Sequence, residues 1–99
     1  MTDTYRFDGA LWGYTGQAAW VFLTVPVEHA ADIAAIPRAP RPGFGSIRVS
    51  VTLGGSTWRT SIFPDSKAGT FLLPVKKAIR ARERVEPGDV VGVSLELLE

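Results

Sequence analysis

The chain has 99 residues, 45% apolar and 21% charged, with a net charge of +1 and no cysteine. That length predicts one domain over residues 1–99, with enough apolar material for one core. The composition excludes a disulfide framework and thiolate chemistry, leaves a single histidine for any zinc site, and provides no strong field for a polyanion.

In chain order, MTDTYRFDGA has neither a basic n-region nor an apolar h-region, so no signal peptide is expected. No apolar run approaches the roughly 18 residues of a membrane span. The expectation is therefore a cytoplasmic protein without membrane contact. Tyr5, Phe7 and Leu11 fall on one face of an alternating stretch, which predicts a strand. TGQ at 15–17 predicts a turn, and AAWVFLTV at 18–25 a strand apolar on both faces. Pro26 stands where a first helical turn begins. Val27, Ala30, Ala31 and Ala34 then share a face, and Pro37 ends the short helix. RAPRPG at 38–43 is a stiff loop. From Phe44 the period becomes two, with Ile47, Val49, Val51 and Leu53 on one face. Gly54-Gly55 is a two-residue hairpin signal, and STWRTSIF at 56–63 is the return strand. PDSKAG at 64–69 is a turn, TFLL a strand, and Pro74 opens a second short helix. PGD at 87–89 leads into a last strand with Val91, Val93, Leu95 and Leu97 on one face.

FLTVPVEHA (22–30) echoes FLLPVKKA (71–78), and PGFGSIRVSVTL (42–53) echoes PGDVVGVSLEL (87–97). Each half reads strand, strand, helix, strand. The expected fold is mainly β: a small closed or pseudo-closed barrel of about six strands, built from two ββαβ halves with two short helices.

The two-residue turn sets the hairpin register. Leu53 faces Ser56, Val51 faces Trp58, Val49 faces Thr60 and Ile47 faces Ile62, so Trp58, Thr60 and Ile62 belong to the apolar face. Arg48, Ser50, Arg59 and Ser61 form a polar patch on the other face, with two guanidiniums near each other. Arginine and hydroxyl donors suit a carboxylate or phosphate. The alternative is a solvated face with a nearby Asp or Glu as counter-ion.

Lys76, Lys77, Arg80, Arg82 and Arg84 are the one clear charge asymmetry. At helical spacing Lys76, Arg80 and Arg84 make a stripe with Lys77 beside it, opposite Val75, Ala78 and Ile79. The stripe is either a solvated face or a set of nucleic-acid backbone contacts, to which an exposed Trp12 or Trp20 would add base stacking. His29, beside Glu28, has no GxSxG serine to serve and reads as an exposed helix residue. Asp89 reads as turn chemistry. No catalytic residue, metal ligand or cofactor is expected. The domain reads as a binding module for a small anion or a partner protein, with nucleic acid as the alternative partner.

The segments FDGALW (7–12), AWVFL (19–23), GFGSIRV (43–49), GGSTWRTSIFP (54–64), LLPVKKAIR (72–80) and PGDVV (87–91), in that order, resemble the prokaryotic domain-of-unknown-function family DUF1905. The resemblance implies a small β barrel of the double-split type and no assigned catalytic residues. Some relatives carry a second, C-terminal domain associated with bacteriocin protection. Barrels of this type are similar to those of swapped-hairpin regulators and antitoxins that bind DNA, which is an analogy of fold alone.

Overall fold

The computed structural model describes residues 4–13, 20–35 and 45–98. The turn at 15–17 and the loop at 38–43 lie outside them. The elements are β1 (Thr4–Ala10), β2 (Trp12–Gly13), β3 (Val21–Thr24), α1 (Val27–Ala35), β4 (Ile47–Leu53), β5 (Ser56–Asp65), β6 (Thr70–Pro74), α2 (Lys77–Glu83) and β7 (Val90–Leu97). All strand pairs are antiparallel, in the order β1-β7-β4-β5-β6-β3-β2.

Among the described residues the fold is mainly β with two helices, but the curled sheet is an open half-barrel of seven strands, not a closed barrel of six. The difference arises at Leu11. Its N–H donates to the Asp89 carbonyl and its own carbonyl accepts from the Gly88 N–H, so the first strand ends at Ala10 and a further short strand, β2, follows Leu11. These two pieces are the ends of the strand order. Residues 56–97 do run strand, strand, helix, strand.

The hairpin has the register that a two-residue turn demands, from Leu53 opposite Ser56 to Ile47 opposite Ile62. Of the two turn residues Gly54 alone has positive φ (60°), the pattern of a type II′ turn. β7 pairs with β4 on its other side, placing Val51 between Trp58 and Leu95. These inward positions alternate with outward polar ones, and Val49, Val51, Ile62 and Leu95 are completely buried. Each such side chain contributes about 1.5–3 kcal/mol by leaving water. β5 changes partner along its length: residues 56–62 pair with β4, and Phe63, Pro64 and Asp65 pair with β6. Pro64, which has no N–H to donate, sits just past this switch.

The helices start later than expected. Pro26 and Pro74 are not helical; α1 begins at Val27 and α2 at Lys77. The residues before each helix are tied to the sheet instead, through Val25 N–H to Phe71 O (3.0 Å) and Val75 N–H to Val21 O (2.9 Å). On α1 the buried residues are Ala30 and Ile33. Val27, Ala31 and Ala34 are exposed and, with Ala30, line a shallow hollow beside Asp65 and Phe71. Val21 and Leu23 are buried, Phe22 half-buried and Thr24 exposed, so β3 is buried on one face, not both. On its other face Phe22 and Thr24 meet the rings of Trp12 and Trp20 near the edge of the sheet, not the core.

Candidate functional site

The Gly54-Gly55 turn is held from outside by α2. Ser56 points inward with the apolar set and is 1% exposed, so its hydroxyl needs a partner. Glu83, the last residue of α2, supplies it: Oε2 accepts from Ser56 Oγ at 2.5 Å and Oε1 from the Gly55 N–H at 3.3 Å. These bonds, the Ser56 one first, and the charge of Arg82 hold the Glu83 pKa below its ordinary value of 4.5, against a smaller desolvation effect. A Cβ on Gly54 would run into Glu83 Oε1 and push that carboxylate aside, so glycine there keeps the Glu83 contact and meets the positive φ.

Further along β5 the sheet opens. A cavity of about 300 Å³ is lined by Trp20, Trp58, Arg59, Phe63 and Lys76, with Val21, Thr60, Pro74 and Val75. Three elements build it: the entry to β3, the stretch of β5 where the strand changes partner, and the exit from β6 into α2. Trp58 is 8% exposed and belongs to the core, whereas Trp20 is 60% exposed. Trp20 stacks on Phe22 with ring centroids 6.1 Å apart and planes within 10°. Phe22 also packs at 5.2 Å against Trp12, whose Nε1–H donates to Thr24 Oγ1 at 2.9 Å. Trp20, in the stretch expected to be apolar on both faces, is thus exposed, and it sits where β3 has not yet gained its sheet partners. The wall is apolar and aromatic, and Arg59 and Lys76 are exposed on it.

The hairpin patch is divided. Ser50 opposes Arg59 and Arg48 opposes Ser61. Of these four residues only Arg59 lines the aromatic cavity. Ser50 opens instead onto a polar hollow with Thr4, Arg6, Thr52, Ser94 and Glu96. Glu96 is the β7 partner of Ser50 and brings an acid into the row, a contribution that the hairpin sequence alone does not contain.

The basic cluster is divided as well. α2 spans only seven residues, so the expected stripe is cut at both ends. Lys76 is the N-cap and lines the aromatic cavity. Arg84 is the C-cap in the left-handed conformation, φ 57°, where the chain turns back. Lys77, Arg80 and Arg84 share a separate open hollow of about 420 Å³ with Ala81, Val85 and Glu86. Arg80 Nε donates to the Val75 carbonyl at 3.1 Å. Arg82 is exposed; Val75 and Ile79 are buried, but Ala78 is exposed.

The remaining polar residues of interest serve the fold. Asp89 Oδ2 accepts from the Glu86 N–H at 2.9 Å, and Asp65 Oδ1 from the Lys67 N–H at 3.2 Å, which is turn chemistry. His29 is half-buried, not exposed: Nε2 donates to the Arg6 carbonyl at 3.1 Å, and the ring packs 5.3 Å from Tyr5 and 6.1 Å from Phe7. Among the described residues no three His, Cys, Asp or Glu side chains converge as metal ligands, and no helix is long and apolar enough to cross a membrane.

Sequence reasoning missed Glu83 and the aromatic cavity. A serine on the apolar face of the hairpin was the signal for Glu83. The cavity had no local signal, because Trp20, Arg59 and Lys76 are brought together from three separate parts of the chain. No curated protein matches the chain. The family model of the domain of unknown function DUF1905 matches residues 7–95, nearly the whole length, and on that ground the chain belongs to the DUF1905 family.

Proposed function

We propose that the domain is a non-enzymatic binding module whose ligand is a small anion with a flat apolar body, held in the cavity between Trp20 and Trp58. One observation carries this reading. Arg59 comes from the hairpin patch and Lys76 from the basic cluster, and both stand on the same aromatic-walled cavity. A mostly apolar pocket with a few polar groups at its rim is the usual form of a small-ligand site, and about 300 Å³ lies at the lower end of the size range. The rings supply area for a planar body, and the guanidinium supplies paired donors for a carboxylate. Arg48, Ser50 and Ser61 lie off the cavity and are left to the solvated face of the hairpin.

The test is thermal unfolding with a panel of aromatic carboxylates such as 2-naphthoate. A ligand at about 100 times its Kd stabilises by about 2.7 kcal/mol, a rise in Tm on the order of 10 °C. The double variant Arg59→Gln/Lys76→Gln should fold normally and lose that rise. No shift with any flat anion, or the same shift in the variant, would sink the proposal.

A further inference from the structure

Consecutive residues line the aromatic cavity and the hollow of α2. Lys76 stands on the cavity and Lys77, the next residue, on the hollow with Arg80 and Arg84. A flat ring in the first is therefore followed by a run of cations in the second. The one acid of α2, Glu83, is turned to the hairpin by Ser56 and Gly55 and does not line that hollow. Glu86 is the single acid that does. Resting on the function proposed above, we infer that the ligand is a nucleotide: its base lies against Trp20 and Trp58, and its phosphate is directed by Lys76 to Lys77 and Arg84. Bases stack on aromatic side chains with little regard to their identity, and phosphates take charge-assisted bonds from lysine and arginine. The same chemistry is presented by a free nucleotide and by a single strand.

The full chain is titrated by tryptophan fluorescence, since two of its three tryptophans line the cavity. The probes are adenosine, its 5′-monophosphate, 2-naphthoate and single-stranded oligonucleotides of eight residues in DNA and RNA. The monophosphate is expected to bind about tenfold more tightly than the nucleoside, the size of one added charge-assisted bond. Lys77→Gln/Arg84→Gln, both exposed and off the cavity, should erase that advantage and leave adenosine and naphthoate binding as they were. An oligonucleotide that binds more tightly than the monophosphate, with a slope of about −2 in log K against log salt for three phosphate contacts, identifies a strand as the source. Equal affinity identifies the free nucleotide. If nucleoside and monophosphate bind alike, or the advantage survives the double substitution while naphthoate still binds, the nucleotide assignment is overturned and the small-anion reading stands. Silence from naphthoate and nucleotides alike defeats both.

Discussion

β1 and β5 flank the central β4–β7 pair on either side, and each presents aromatic residues to a helix that follows a proline. At β1, α1 lays His29 on half-buried Tyr5 and Phe7, and the ring bonds to the strand at Arg6. At β5, α2 fastens elsewhere. Glu83 grips the hairpin turn at the start of the strand, and Trp58 and Thr60 are left on an open cavity with Trp20 opposite. The two corners use the same parts, a strand carrying aromatic residues and a helix tethered by one polar side chain. The position of the tether decides whether the helix lies against those rings or leaves a cavity beside them.

The comparison can be broken most severely at Trp58. Trp58→Ala removes a core side chain from the open corner and should cost about 3–5 kcal/mol in denaturant unfolding. Tyr5→Ala, half-buried beside His29, should cost clearly less. Equal losses would mean that the two corners do not differ in packing. Gly54→Ala is next. The left-handed φ alone costs about 1–2 kcal/mol, and the new Cβ also displaces the Glu83 carboxylate, so the total should exceed that of Gly88→Ala, where φ is 100° but nothing lies within 4 Å. His29→Ala removes one hydrogen bond and its ring contacts and should cost about 1 kcal/mol or somewhat more. It should also make Tyr5 and Phe7 accessible, which hydrogen exchange of the β1 amides would register.

A smaller effect separates the tethers by pH. The Glu83 carboxyl has a folded pKa below 4.5, so its contribution is fully present above that pH and is lost as pH falls through the folded value. Wild type should lose stability in that acid window, and Glu83→Gln should show a shallower loss; parallel acid limbs would remove Glu83 from the account. Smallest of all, Arg59→Gln/Lys76→Gln should change stability by no more than about 0.5 kcal/mol, because both side chains are exposed.

The hairpin was legible in the sequence to the residue, since a glycine pair and strict alternation leave a single register that buries Ile47, Val49, Val51 and Trp58 together. The break at Leu11 was not, because it depends on backbone bonds to Gly88 and Asp89, nearly eighty residues away. The candidate site was legible only in pieces. Arg59 and Lys76 were each singled out, one from strand alternation and one from helical spacing, but neither pattern encodes the curl that sets them on one cavity. Trp20 carried no signal of exposure, because an apolar stretch reads as buried unless its neighbours are known.

The pairing of Thr4 with Glu96 makes the first and last strands of the sheet neighbours. During synthesis at about 5–20 residues per second, β1 therefore leaves the ribosome several seconds before β7 exists. The β4–β5 hairpin needs only local closure and is free to form in that interval, whereas β1 keeps an unpaired edge throughout it. Its outward side chains in this period are Thr4, Arg6 and Asp8, polar and of mixed charge, the kind of residues that discourage a waiting strand from pairing with another nascent chain.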